Sequence, residues 1–325
     1  MQTRALDLVA LIEQPPLGLP ASSGPAPSRA AVDLGRRLFF DRRLSFNGTL
    51  SCGMCHVPEQ GFTQNELATP VGFGGASVRR NAPALYNVAY RTRLFHDGRE
   101  GSLALQIWSP LLAANEMANP SIGLVVERIA AMPAYSAEFQ RAFGGGPDVE
   151  SVGAALAAYE RGLLSANAPF DRWRAGDGAA MPAAAVRGFA LFGDRGCAAC
   201  HSGALFTDEQ YHDSGIGYHA AMHAQPPSEL RLAPGVVVSV ARDALGPVAA
   251  ANDLGRYEVT QLPDDRWRFR TPTLRNVAVT APYMHDGSIA TLADVIDYYA
   301  AGGVPHEGQD PLIKPIALTA GERAD

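Results

Sequence analysis

The chain has 325 residues, of which 47 % are hydrophobic and 18 % charged, with a formal net charge of −6 at pH 7. That balance is globular rather than disordered. No apolar run approaches the roughly 18 residues that a membrane span needs, and the acidic charge argues against a nucleic-acid partner.

Residues 1–13 do not read as an export signal, because Asp7 and Glu13 interrupt their only apolar stretch. Residues 1–27 are expected as an extended leader, and 15–27 are rich in Pro, Ser and Gly without periodicity. Ser28 then caps a helix with Val32, Leu34, Leu38 and Phe39 on its apolar face, running into Asp41 just before Cys52-Gly-Met-Cys55-His56. Helical spacing returns over residues 120–131, 133–143 and 148–165. A polar, Gly-rich linker over 167–181 separates an expected N-terminal domain, residues 28–170, from a C-terminal domain, residues 171–325. A helix over 182–192 leads to Cys197-Ala-Ala-Cys200-His201, and each motif is followed by Phe-Thr, at Phe62-Thr63 and Phe206-Thr207. Within the Gly/Pro-rich stretch 212–270, segments 257–259 and 267–269 flank Pro263-Asp-Asp and predict a hairpin. The last elements are a helix over 291–300, with Thr291 and Asp294 in a capping pattern, and the first turn of another at 319–325.

The two Cys-x-x-Cys-His motifs use all four cysteines of the chain. Two thiols so spaced can add to the two vinyl groups of one haem, and the adjacent imidazole then reaches the iron. Zinc would want four ligands grouped as Cys-x-x-Cys pairs, and a thioredoxin-like pair has no need of the trailing histidine. Two covalently bound c-type haems are therefore expected, one on Cys52, Cys55 and His56, the other on Cys197, Cys200 and His201. Attachment of this kind belongs to an exported compartment, so the periplasm is the expected location, with an export signal removed or replaced.

A longer repeat surrounds the motifs. Ala82-Pro-Ala-Leu-Tyr-Asn-Val-Ala89 matches Thr271-Pro-Thr-Leu-Arg-Asn-Val-Ala278, and His96-Asp-Gly98 matches His285-Asp-Gly287, both at an offset of 189 residues. The haem motifs are offset by only 145, which leaves 44 extra residues in the second half, within 212–270. The expected fold is mainly all-α: two cytochrome c-like haem domains related by internal duplication, with long loops and a small β-hairpin.

On the helix over 291–300, Leu292, Val295, Ile296 and Tyr299 share a face, and Tyr298 points about 100° away. Phenolate is a haem ligand that favours ferric and higher oxidation states, although spacing alone favours a buried core tyrosine at Tyr299. The repeat places Pro110 opposite Tyr299, and proline has no side-chain ligand to offer. One iron then has a candidate sixth ligand and the other is open to a small oxidant. An open haem that handles peroxide needs an acid/base to move a proton between the two oxygens. Glu116 lies a short loop beyond Pro110, and Gln106 one turn before it. A solvated loop carboxylate fits Glu116 equally well. His212, His219, His223 and His306 are expected in loops, facing solvent, a propionate or the surface, and His285 as a structural group.

With these residues the chain resembles the bacterial di-haem cytochrome c peroxidase family, including its tryptophan-tryptophylquinone-maturing branch, MauG. The likeness runs over residues 30–323. It is carried by Leu38-Phe-Phe-Asp41-Arg-Arg-Leu44-Ser45, both haem motifs, Arg80-Asn81-Ala-Pro83, Asp97-Gly98-Arg99, Asn115-Glu116-Met117 and the block 270–287. The resemblance implies a peroxide-reacting haem on His56 and an electron-transfer haem on His201. It also implies an acid/base at Glu116, distal-pocket positions at Gln106 and Pro110, and a calcium ion between the haems held by Asn81, Thr280 and Pro282. Hydrogen peroxide would be the substrate and a small c-type cytochrome or cupredoxin the donor, and a homodimer is common in the family. Three positions depart from the family pattern. Tyr299 stands where most members have methionine, as in MauG. The loop over 71–78 lacks the histidine that closes the peroxidatic haem at rest, so an open haem is expected without reductive activation. His96 replaces the tryptophan between the haems, which weakens any route through that tryptophan. The first reading is a peroxidase. The second is a MauG-like enzyme that oxidises residues of a partner protein. The third, an electron carrier or sensor, is opposed by Pro110.

Overall fold

The computed structural model describes residues 7–223, 229–233, 236–239 and 253–325, and over them the chain is mainly helical with little strand. Helix α1 (Leu8–Glu13) starts where the Asp7 carboxylate accepts from the Ala10 amide at 3.3 Å, a side chain satisfying one of the orphan donors of a helix start. The expected extended leader is therefore helical in its first part. Ser28 caps α2 (Arg29–Phe40) as expected, its hydroxyl accepting from the Ala31 amide at 3.2 Å, and the helix buries Ala31, Val32, Leu34, Leu38 and Phe39.

Downstream, α3 (Cys52–Cys55) is a single turn closed by the His56 amide on the Cys52 carbonyl at 2.9 Å. Two short pieces follow, α4 (Leu103–Gln106) and α5 (Trp108–Leu112). Pro110 has no amide hydrogen to donate to the Gln106 carbonyl, so the helical ladder is interrupted between them. Next come α6 (Ile122–Ala130), α7 (Pro133–Phe143) and α8 (Val149–Arg161), close to the expected spans, with α8 ending at Gly162.

Helix α8 is the strut of this half, and two glycines let its neighbours approach. A Cβ on Gly35 of α2 would lie 1.8 Å from the Ala155 carbonyl oxygen, and one on Gly153 would lie 2.3 Å from that of Ala104 in α4. Only glycine permits backbones to close to that distance. The α2–α8 seam continues with Phe39 and Tyr159, ring centroids 5.2 Å apart.

Residues 167–181, expected as a linker, contain α9 (Pro169–Arg174) with a buried Asp171. Helix α10 (Ala183–Asp194) leads into the second motif. Beyond it lie β1 (Tyr211–His212), α11 (Ile216–His223) and an antiparallel hairpin of β2 (Glu229–Ala233) and β3 (Val236–Ser239). The hairpin predicted from 257–259 and 267–269 does not form. Its first arm is the helical turn α12 (Tyr257–Thr260), and Pro263–Asp265 is a 3-10 turn. The Trp267 amide donates to the Leu254 carbonyl at 3.0 Å and the Arg256 amide to the Arg268 carbonyl at 2.8 Å. The second arm thus pairs with residues ahead of α12, and β4 (Phe269–Arg270) goes on to pair with β1. The chain ends in α13 (Leu292–Ala300), capped by Thr291, and α14 (Ala320–Ala324), capped reciprocally by Thr319 and Glu322. No described helix is long and apolar enough to cross a membrane.

Among the described residues every buried apolar side chain lies between Ile12 and Leu163. Helices α10 and α13 bury none of their residues. What the second half buries is largely polar, including Asp213, Arg270, Arg275, His285 and Asp310. Its apolar residues Phe189, Phe192, Leu292 and Val295 are half-buried.

Candidate active site

The first centre is a cavity of about 910 Å³, at the upper end of ligand-site volumes. Cys52, Cys55 and His56 line it together with Gln106, Pro110 and Glu116, so the six residues that the sequence assigns to the first haem meet in one place. Phe62, at φ 55°, turns its carbonyl toward His56, whose Nδ1–H donates to it at 3.1 Å. This fixes the ring and leaves Nε2 for a metal. Burial pushes the imidazole toward its neutral form, as ligation requires. The thiols are free of disulfides, and burial holds Cys55 up at about 11. A large cavity lined by two thiols, a neutral imidazole and apolar walls suits a haem.

Glu116 is half-buried. Burial outweighs the pull of the Arg99 charge and holds its carboxyl above the ordinary range. A second acid in the same wall, Glu160 at the end of α8, escaped the sequence analysis. It is 6 % exposed and lines the cavity near Cys52, and burial pushes it up to about 8. The available signal was one carboxylate directly after a small and apolar run, Ala154 to Tyr159. Glu258 and Val259, from the extra residues of the second half, complete the wall.

The second centre repeats the histidine arrangement. Phe206, at φ 53°, accepts from Nδ1 of His201 at 3.0 Å, and burial again favours the neutral ring. The Phe192 ring sits 6.4 Å from that of His201. On α13, the Tyr298 hydroxyl donates to the Ser214 carbonyl at 2.5 Å. Burial, the largest influence, raises the Tyr299 pKa, and Cys200 and Cys197 act in the same direction. Half-buried aromatic and aliphatic residues around a Cys-x-x-Cys-His turn again match a haem. Ile296, expected on the inward face with Tyr299, is 38 % exposed.

Asn81 joins the two halves. Its amide donates to the His285 carbonyl at 2.7 Å, and its own carbonyl accepts from Nε2 of His96 at 3.0 Å. His96 is held neutral, its pKa pushed down to about 3 mainly by burial. His285 stacks on Phe269 at 3.6 Å. The Asn81 amide group donates to the Ala68 carbonyl, which leaves its side-chain oxygen available. Thr280 and Pro282 stand just ahead of His285, in the turn after Val277–Val279. Carbonyl and amide oxygens are the donors that calcium prefers.

Of the four histidines expected in loops, three lie in a strand or helix, and His306 is in a loop but with its side chain buried. His219 and His223 are on α11. His212, in β1, is held between Asp208 at 3.0 Å and Asp310 at 2.6 Å. His306 is 2 % exposed, paired with Asp213 at 2.9 Å and stacked on Tyr218 at 4.1 Å.

An oxidoreductase built around two haems is the class that these centres define. A family model described as di-haem cytochrome c peroxidase matches residues 29–179. The chain is 40 % identical to "Methylamine utilization protein MauG" of Methylorubrum extorquens, with 90 % of this chain and 75 % of that protein aligned. It is 38 % identical to "Cytochrome-c peroxidase IdrP1" of Denitromonas iodatirespirans, over 96 % of this chain and 84 % of that one. A crystal structure of a MauG-like protein associated with microbial copper homeostasis superposes with a TM-score of 0.78 at 31 % identity, covering 96 % of this chain and 92 % of the other. The chain belongs to the di-haem cytochrome c peroxidase family, in which MauG proteins and cytochrome c peroxidases are both found.

Proposed function

We propose that the protein is a periplasmic peroxidase that reduces hydrogen peroxide to water at the His56 centre, with electrons from a small c-type cytochrome or cupredoxin entering at His201. The observation that carries this reading is the gathering of Glu116, Gln106 and Pro110 in the cavity of Cys52, Cys55 and His56, while Tyr299 lies within electrostatic reach of the other pair of cysteines. Cys52, Cys55 and His56 would hold a haem in the cavity, and that group would supply an iron able to bind peroxide and electrons for its reductive cleavage. Pro110 lines the cavity without a side chain that could ligate a metal, so it would not compete with a small oxidant. His56 holds its side of the site through the Phe62 carbonyl. Glu116 takes the proton from one peroxide oxygen and returns it to the other, so that the departing oxygen leaves as water, and Gln106 orients the bound peroxide. Burial raises the pKa of Glu116, a direction that suits a carboxyl that must take up a proton and then return it.

Asn81, Thr280 and Pro282 would hold calcium between the centres through oxygen atoms. The matched positions 189 residues apart support an internal duplication into domains 28–170 and 171–325. Asn87 and Asn276 are both left-handed, at φ 61° and 63°, and Gly98 and Gly287 at 67° and 68°. The bridge between Leu94 and Glu100 recurs between Tyr283 and Ile289.

Tyr299 favours a second reading, in which the same chemistry oxidises residues of a partner protein, as the likeness to MauG suggests. Steady-state peroxide consumption with a reduced cytochrome or cupredoxin separates the two. Turnover supports the peroxidase, and a single stoichiometric oxidation without turnover supports the alternative. Glu116→Gln should slow the peroxide reaction by about 10²-fold or more with both haems retained, and unchanged kinetics would remove Glu116 from the mechanism.

A further inference from the structure

We infer that the loop over residues 71–78 is a fixed brace that sets the position of Glu116, and that Gly72 is the positioning residue on which the brace depends. The inference rests on the reading of Glu116 as the acid.

The carboxyl of Glu116 has a charged neighbour in Arg99, but no described residue donates a hydrogen bond to it. Its place in the cavity is therefore set by its main chain, and that main chain is held from three directions. The Glu116 amide donates to the Ala113 carbonyl at 2.9 Å, and its carbonyl accepts from the Phe73 amide at 2.8 Å. One residue on, the Met117 carbonyl accepts from the Phe46 amide at 2.9 Å. The two residues that supply these outer donors also pack on one another, the Phe46 and Phe73 rings meeting edge to face at 5.8 Å.

The loop that presents Phe73 is closed on itself. Val71 and Ser77 form a bridge, Gly72 donates to Ala76 at 2.8 Å, and Val78 donates to Pro70 at 2.9 Å. A closed loop can meet the acid's backbone only if nothing stands between them. At Gly72 a Cβ would lie 2.0 Å from the Asn115 carbonyl oxygen and 2.8 Å from the Glu116 α-carbon. Both obstacles are backbone and cannot swing aside. Any side chain at position 72 must part the loop from residues 115 and 116 and stretch the Phe73–Glu116 hydrogen bond. Misplacement of a reacting group by about 1 Å can cost about 10²-fold in rate.

The test is Gly72→Ala in the haem-loaded protein, alone and combined with Glu116→Gln. Haem content and melting temperature serve as controls. Peroxide reactivity and the association of cyanide, followed by the haem absorption shift across pH, serve as readouts. Cyanide binds from its protonated form and so reports the same proton acceptor without turnover. Gly72→Ala should slow both processes by about tenfold or more and alter the pH profile of cyanide binding. In the Glu116→Gln background it should add nothing. A wild-type rate in Gly72→Ala, or an equal loss in both backgrounds, would overturn the brace while leaving Glu116 as the acid. If Glu116→Gln itself reacts at the wild-type rate, the acid assignment falls and the brace with it. Should Gly72→Ala fail to retain haem, Phe73→Ala, which loosens the ring pair but keeps the glycine, replaces it in the same comparison and is judged by the same outcomes.

Discussion

The Arg275 guanidinium grips Asp171 with two hydrogen bonds, at 2.8 and 3.0 Å, with side chains only 5 % and 2 % exposed. Arg275 also donates to the Gly18 carbonyl at 2.9 Å, so one side chain ties the leader and α9 to the block that follows β4.

Removing one partner of a buried pair strands the other charge, at a cost of about 3–5 kcal/mol. Arg275→Ala should lose stability on that scale in denaturant unfolding of the haem-loaded protein. Burial by itself would raise the Asp171 pKa, yet the Arg275 hydrogen bonds hold it below the ordinary value. A carboxylate depressed in the fold contributes stability above its unfolded pKa, about 3.9, and loses it as pH falls through the folded value. The penalty of Arg275→Ala should therefore shrink at acid pH, and a penalty independent of pH would contradict this account.

Glu160 has the opposite sign. Its folded pKa of about 8 lies above an unfolded value of about 4.3. The fold favours its protonated form, so its contribution is complete below the unfolded pKa and fades as pH rises to the folded one. Glu160→Gln should gain on the wild type steadily from about pH 5 to pH 8 and then level off. Paired melting curves over that range check it, and a gap that does not change with pH would refute it.

Tyr299→Phe should change the low-spin ferric spectrum of the second haem toward high spin. Tyr299→Met should raise the midpoint potential, because a Met/His pair stabilises ferrous iron relative to phenolate. Electron paramagnetic resonance and redox titration are the measurements. An unchanged low-spin signal in Tyr299→Phe would exclude ligation.

Arg80 bridges the halves, donating to Asp97 at 2.6 Å and to Asp253 at 2.6 and 2.7 Å. A double-mutant cycle of Arg80→Ala with Asp253→Asn should give a coupling of about 0.5–3 kcal/mol. With side chains 11 % and 10 % exposed, the pair should respond weakly to added salt.

What was legible in the sequence was what neighbours decide. Ser28 and Thr291 marked helix starts because a cap needs only the residue three positions on. The two haem motifs and the offset of 189 residues were readable in the same way. What escaped depends on distant partners. Residues 267–270 looked like one arm of a local hairpin, but their partners are Leu254, Arg256 and β1. Residues 167–181 looked like a linker because Arg275, which holds Asp171, lies about a hundred positions away. His306 looked exposed because neither Asp213 nor Tyr218 is near it in sequence.

Among the described residues the buried apolar side chains all lie between Ile12 and Leu163, and this uneven distribution bears on how firmly each half is held. The first half can collapse on α2 and α8 by itself. The second leaves Phe189, Phe192, Leu292 and Val295 only half-buried, and the ion pairs that it buries do not alone offset the ordering of a chain. Limited proteolysis should therefore cut the second half first, with the fragment around α2 and α8 persisting longest.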